Sequence, residues 1–405
     1  MSRHLSSQAT VDLFSKYVIG NYKRYPVNLV RGEGSRVWDS EGRELLDLFP
    51  GWGCNLLGHC HPAIVEAVTA QVKELVHVPN TWHMERQGQW AELLSERSFG
   101  GQAFFCNSGA EANEAAIKIA RLYGSPSRYK IITFEGGFHG RTMGALSATA
   151  QPKYHAGLGP MLPGFSYVPW GDLEAVSRRI DHETIAIMIE PIQGEGGVKI
   201  PDAAFLTGLR ALADQNKLLL IFDEVQTGCG RTGQWFGYQY FGVQPDILTL
   251  AKSLCGGIAG GAMLATCNVA SYLKPGLHAS TFGGNPIAAA AGIAFLQAVE
   301  QESLLERAQH IGKRFQDGLD SIKADVDFIR EVRVAGTMIG VELEMDGANI
   351  VQAALDEGLL INCTQGNVLR FLPALTLTDE EVDQSLEILS RVLVTSSETL
   401  SGQSA

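Results

Sequence analysis

Short apolar runs alternate with amphipathic stretches through the first three quarters of the chain. Ala103–Cys106, Ile131–Phe134, Ile185–Ile189, Leu218–Phe222, Ile247–Leu250 and Gly261–Ala265 are almost wholly apolar and are bounded by glycine or polar residues. That is the pattern of parallel strands buried on both faces. Between them, Glu111–Tyr123 places Ala115, Ile119 and Leu122 on one helical face, and Ala203–Asn216 repeats the pattern just before the run at 218. Pro62 opens a further helix over Ala63–Leu75. Strand and helix in alternation predict an α/β fold with a mainly parallel central sheet. Beyond a helix of small residues, Pro286–Val299, the texture changes. A charged helix over Glu300–Ala324, strands at Thr337–Leu343, Leu359–Cys363 and Val368–Phe371, and a last helix Asp379–Val394 suggest a smaller α+β domain. The Ser-rich tail Thr395–Ala405 reads as disordered.

With 405 residues, the chain exceeds the roughly 250–300 that one core accommodates. We expect a large domain over 51–300 and a smaller one built from 1–50 together with 301–405. A net charge of −12 with no basic patch argues against nucleic acid or anionic membrane as partners. The N-terminus lacks the apolar run of a secretory signal, and no apolar segment reaches the ~18 residues of a membrane span, so the expected compartment is the cytoplasm. The seven cysteines are scattered without a C-x-x-C pair, which suits reduced thiols better than zinc or a redox dithiol. His59-Cys60-His61 reads as a turn into the helix after Pro62, and no metal site is expected.

The glycines concentrate in loops that follow the apolar runs, as in an enzyme whose backbone lies close to a ligand. Asn107-Ser108-Gly109-Ala110-Glu111 follows one strand and opens a helix, where free N–H groups and the helix dipole bind an anion such as phosphate. Ser108 with Glu111 also forms a capping box that requires no ligand, and Gly109 permits close approach. Asp223 and Glu224 end a buried strand, and side-chain alternation lets only one of them face a given pocket. Lys252, at the end of the next strand, is placed to form a Schiff base with an aldehyde. In Gly136-Gly137-Phe138-His139-Gly140-Arg141, Phe138 is suited to stack on a flat group and Arg141 to clamp a carboxylate. Gly228-x-Gly230-x-x-Gly233 matches a dinucleotide fingerprint literally. We reject it, because no amphipathic helix opens there and Asp246 precedes its strand.

In order, NSGAEAN, GFHGRT, EPIQGEGG, FDEVQTGCGRTG, PDILTLAKSLCGG and HASTFGGNP resemble the class III, fold-type I aminotransferases that use pyridoxal 5′-phosphate. The likeness runs from about Tyr22 to Val394. HVPNTWHMERQGQWAELL and GLLINCTQGNVLRFLPAL are most similar to the branch acting on N2-acetyl-L-ornithine and 2-oxoglutarate in arginine biosynthesis. The branches acting on ornithine, succinylornithine or succinyl-diaminopimelate are the alternatives. A nicotinamide-dependent dehydrogenase and a non-catalytic binding protein of the same fold are the readings from other classes.

The resemblance implies that Lys252 carries the cofactor aldehyde and that Asp223 pairs with the pyridine nitrogen. It also implies that Ser108, Gly109 and Ala110 cradle the phosphate, Phe138 stacks on the ring, and Gln226 meets its phenolic oxygen. Thr281 resembles a residue that reaches the phosphate of a neighbouring subunit, so a homodimer is expected. Arg141 would hold the distant substrate carboxylate, Glu195 would pair reversibly with Arg370, and Tyr22 is similar to a substrate-contacting tyrosine. The stretch Cys255–Gly261 departs from the family's usual glycine-rich loop and leaves its packing beside Lys252 open.

Overall fold

The structure, a computed structural model, describes residues 4–403. Its centre is a sheet of seven strands: β1 (Gln102–Cys106), β2 (Lys130–Phe134), β3 (Phe165–Val168), β4 (Thr184–Ile189), β5 (Leu219–Asp223), β6 (Ile247–Leu250) and β7 (Gly261–Ala265). They lie in the order β1-β7-β6-β5-β4-β2-β3. β2 pairs in parallel with β3 and β4, and β4, β5 and β6 are parallel neighbours, while β7 runs antiparallel to both β6 and β1. Every residue of β4 to β7 is buried, because helices cover both faces.

Side chains of successive strand residues point to opposite faces, and two apolar clusters record this. Ile221, Ile247 and Met188 pack with Ala116 and Ile119 of the helix Gly109–Gly124. Leu220, Phe222 and Leu248 pack on the other face with the helices Ala203–Asn216 and Pro286–Gln301.

A second sheet is wholly antiparallel, in the order Ile329–Ala335, Met338–Leu343, Val368–Phe371, Asn362–Thr364. The helices Leu304–Asp325 and Asp379–Gln403 contribute Phe315, Leu319, Val382 and Leu389 to its core, which Leu46 and Leu48 join from the N-terminal part. A third sheet runs Leu29–Glu33, Arg36–Asp39, Glu44–Asp47 and then Leu359–Leu360, the last pairing in parallel.

Five expectations are corrected. The single strand expected over 359–363 is two strands in different sheets, separated at Ile361. The charged helix begins at Leu304 rather than Glu300, because Ser303 adopts φ 52° and ends the continuous run. The run Gly261–Ala265, expected as a parallel strand, is antiparallel to both neighbours, and the half-buried edge strand β3 lies outside the apolar runs. The last helix continues through the expected disordered tail to Gln403. Polar residues such as Glu398 and Gln403 are good helix formers, and no proline interrupts them. Residues 404 and 405 lie outside the described part. Among the described residues no helix is long and apolar enough to cross a membrane.

The glycine fingerprint leads to a helix of five residues, Gly237–Phe241. Its start is capped by a carboxylate of the chain itself, since Gly237 N and Tyr238 N both donate to Glu224.

Candidate active site

The carboxyl ends of β1, β2, β4, β5 and β6 converge on one side of the sheet, where open α/β sheets place their ligands. The segments that leave them enclose a cavity of about 450 Å³. Asn107–Ala110 come from β1, Phe138–Arg141 from β2, Glu190 and Glu195 from β4, Asp223, Val225 and Gln226 from β5, and Ala251–Lys252 from β6.

Asp223 shares the face of Ile221, toward the helix Gly109–Gly124, whereas Glu224 turns to the other side. This settles which member of the acidic pair serves the cavity. Asp223 Oδ2 accepts from Asn113 Nδ2 and from His139 Nδ1, both at 2.8 Å, and Oδ1 accepts from Val225 N at 3.0 Å. Asn113 Oδ1 in turn accepts from Thr249 Oγ1 at 2.7 Å. Burial alone would lower the pKa of His139, yet the hydrogen bond and charge of Asp223, with the charge of Glu190, raise it above the ordinary value. Glu190 accepts from Phe138 N and Gly194 N. Its burial dominates the opposing effect of His139 and pushes its carboxyl up to about 7. Glu224, buried and held by Gly237, Tyr238 and Thr227, is likewise pushed up to about 7.

Lys252 lines the cavity with φ 46°, a left-handed conformation that is rare outside glycine and a mark of local strain. Gly256 caps the short turn Lys252–Cys255, and Ser253 Oγ donates to Gly53 O at 2.8 Å. Burial pushes the Lys252 ammonium below its ordinary pKa. Glu195 opposes that shift and Arg370 adds to it. The departing loop leaves Lys252 open to the cavity. Cys255 is buried, Gly260 lies so close that a Cβ there would sit 2.4 Å from Cys255 Sγ, and Gly257–Gly260 form part of the wall.

Ser108 caps the helix Gly109–Gly124 by accepting from Glu111 N, and Glu111 reaches back to Asn107 N at 2.9 Å. The first-turn N–H groups of Gly109 and Ala110 have no carbonyl within the helix to bond. Glycine at 109 also answers to packing, since a Cβ there would lie 2.8 Å from both methyls of Val225. Gln226 is 8% exposed, and its Oε1 has no hydrogen-bond partner. Gly194 makes room for it, because a Cβ at 194 would fall 1.9 Å from that oxygen.

Arg370 is 2% exposed. Its Nη1 lies 2.8 Å from Glu195 Oε1, Nε and Nη2 donate to Asn362 Oδ1, and the guanidinium sits 4.9 Å from the centre of the Phe49 ring. Although burial raises the Glu195 carboxyl, Arg370 and Lys252 bring it below its ordinary value. Phe138 meets Tyr154 edge-on, and Arg141, exposed at the cavity, lies 3.8 Å from the centre of the Tyr154 ring.

Three expected residues do not line the cavity: Arg370, which is paired with the lining Glu195, and Thr281 and Tyr22, which stand apart. Thr281 is exposed and lines a different hollow, with His278 and Ser280. Tyr22 is 53% exposed, packs at 5.8 Å against Trp52, and does not line the cavity. Conversely, the sequence reading left out Asn113, Thr249, His139 and Glu190. A usable signal existed for two of them, since Asn113 and Thr249 are polar residues inside otherwise apolar buried patterns. His59 pairs with Asp47 and Asn55, and the described residues contain no group able to hold a metal ion.

Residues 17–393 match the family model described as Aminotransferase class-III. An acetylornithine aminotransferase of Caldanaerobacter subterraneus subsp. tengcongensis is 52% identical over 383 residues, covering 93% of this chain and 97% of the relative. Among solved structures, the ornithine aminotransferase of Toxoplasma gondii ME49 superposes with a TM-score of 0.93 at 33% identity, covering 98% of this chain and 97% of that one. The acetylornithine aminotransferase of Elizabethkingia anophelis does so with a TM-score of 0.88 at 35% identity, covering 97% and 100%. The match over nearly the whole chain, on a fold whose strand ends gather Asp223 and Lys252 at one cavity, places the protein in the class-III aminotransferase family, whose members depend on pyridoxal 5′-phosphate.

Proposed function

We propose that the protein transfers the terminal amino group of N2-acetyl-L-ornithine to 2-oxoglutarate, giving N-acetyl-L-glutamate 5-semialdehyde and L-glutamate. The observation that carries this reading is the convergence of Lys252, Asp223 and Glu195 on one cavity, with the buried Arg370 paired to Glu195. Relatives at this identity that bear the acetylornithine name support the choice of amino donor.

The cavity fits pyridoxal 5′-phosphate on three counts. The open N–H groups beside Ser108 suit a phosphate, the unpartnered Gln226 Oε1 awaits a hydroxyl proton, and the buried Asp223 carboxylate awaits a protonated ring nitrogen. When bound, the cofactor supplies an electron-withdrawing ring that takes up the electron pair left when a proton departs from the substrate carbon. Asp223, oriented by Asn113 and His139, keeps the proton on that ring nitrogen. Lys252, whose pKa burial lowers, would supply the amine that holds the cofactor aldehyde and, once the substrate amine displaces it, would move a proton on and off the substrate. Phe138, which lines the cavity, would stack on the ring.

The two substrates differ in charge, and Arg141, Glu195 and Arg370 answer that difference. N-acetylornithine carries one carboxylate far from its reacting amine, whereas glutamate has carboxylates at both ends. Arg141 holds the distant carboxylate in both cases. Arg370 serves the second carboxylate of glutamate and is covered by Glu195 otherwise. In this reading the enzyme works in the cytoplasm as a homodimer, with Thr281 of each copy reaching the phosphate in the other, which accounts for its exposure here.

A visible-absorbance titration of the purified protein with N-acetylornithine and with ornithine tests the substrate. Loss of the cofactor band with the acetylated amine is expected, and loss with ornithine alone would refute the choice. Borohydride trapping followed by peptide mass analysis should find the label on Lys252.

A further inference from the structure

Glu195 belongs to a loop, 193–199, whose backbone is fixed at several points to the sheet that carries Arg370. Gln193 and Lys199 exchange backbone hydrogen bonds of 3.1 and 3.0 Å and close the base of the loop. Val198 is fully buried against Gly340, where a Cβ would lie 2.8 Å from Val198 Cβ. Arg333 Nη2 donates to Gly197 O at 2.8 Å. The carbonyl of Glu195 itself accepts two side-chain donors, Thr364 Oγ1 at 2.7 Å and Gln365 Nε2 at 2.5 Å.

Thr364 ends the strand Asn362–Thr364, which pairs with Val368–Phe371, the strand of Arg370. Cationic and anionic partners are thus anchored to one hairpin. The guanidinium is bonded to Asn362, sits over the Phe49 ring and is almost wholly buried. The Glu195 side chain remains partly exposed, so rotation about its own bonds is the freedom left to the pair.

We propose that Thr364 and Gln365 are positioning residues which, by clamping the Glu195 carbonyl, fix the pivot from which its carboxylate covers or leaves Arg370. This rests on the reading that Glu195 discriminates between the two substrates, and it adds the device that sets the balance. The clamp favours the covered state, since a carboxylate held at the right distance loses less conformational entropy on pairing. Releasing it shifts the balance toward a free Arg370 and therefore toward dicarboxylates.

The test uses the cofactor-loaded protein and two readouts. Glutarate, a dicarboxylate with no amine or carbonyl to exchange, is titrated as a binding probe, and the two half-reactions are followed separately. In Thr364→Val, and in Thr364→Val combined with Gln365→Asn, glutarate should bind about three- to tenfold more tightly, the scale set by a neutral hydrogen bond. KM for N-acetylornithine should rise with kcat retained, and Thr364→Ser should restore both values. Asparagine is chosen at 365 because φ there is 55°, which asparagine tolerates. Should the double variant not fold, Thr364→Val, a change of one hydroxyl for one methyl, decides alone.

Unchanged or weaker glutarate binding in Thr364→Val overturns the clamp. Glu195→Ala separates this from the underlying reading. If that variant retains wild-type glutarate affinity and both half-reactions, the switch itself fails. If it responds while Thr364→Val does not, the clamp alone fails.

Discussion

Replacing His139 by leucine isolates the support beneath Asp223. The imidazole is buried, and its Nδ1 donates to Asp223 Oδ2 at 2.8 Å, beside the equally short bond from Asn113. Leucine fills similar space without a donor, so the carboxylate loses one charge-assisted bond and a neighbouring positive charge in a dry site. A hydrogen bond to a charged group contributes about 1.5–3 kcal/mol. At ~1.4 kcal/mol per tenfold, that corresponds to about 10- to 150-fold weaker retention of a protonated pyridine ring. The assay is rebinding of pyridoxal 5′-phosphate to the stripped protein, followed by absorbance from pH 6 to 9. The raised pKa of His139 keeps the imidazolium present below the ordinary value near 6.5, and its contribution is lost as pH rises through the raised value. Wild-type affinity should therefore decline at the alkaline end, whereas the variant should be weak throughout without that decline. Affinity within twofold of wild type, or an unaltered pH profile, would refute the assignment of His139 as the support of Asp223.

Gly194→Ala should expel the Gln226 side chain, because the new Cβ would lie 1.9 Å from its Oε1. We expect weaker cofactor binding in the same titration with an unchanged circular-dichroism spectrum. Arg231 is fully buried and donates to Thr337 Oγ1, Pro373 O and Gly53 O, with burial pushing its pKa down to about 9. Arg231→Met removes the donor to Pro373 O, at ~1–3 kcal/mol for an acceptor left unsatisfied, while Gly53 O keeps Ser253 Oγ, so the urea midpoint should fall with an unchanged slope. Glu224, raised to about 7 by burial, contributes stability that is full below its ordinary value of 4.5 and lost as pH rises through 7. The urea midpoint should therefore be higher at pH 5 than at pH 8, and Glu224→Gln should reduce that difference, leaving the part due to Glu190 and His139, even if it lowers both values.

The sequence alone marked six of the seven strands of the central sheet and the candidate residues at their ends. Continuous apolar runs such as Ile185–Ile189 and Leu218–Phe222 can be satisfied only by burial on both faces, so their strands and the placement of Asp223 and Lys252 at their ends were legible from local pattern. Tertiary structure decided which carboxylate of Asp223-Glu224 meets the cavity, because strand alternation assigns opposite faces without saying which face holds the site. It also decided that Asn113, Thr249 and His139 form one network under Asp223. Those residues are far apart in the chain, and only the packing of the helix Gly109–Gly124 across β5 and β6 brings their polar atoms within bonding distance. The split of 359–363 between two sheets has the same origin, since the partner strand of each half is contributed by distant sequence. Tyr22 and Thr281 stand outside the cavity because a side chain's reach is set by the surface on which its backbone lies, and residue type carries no information about that surface.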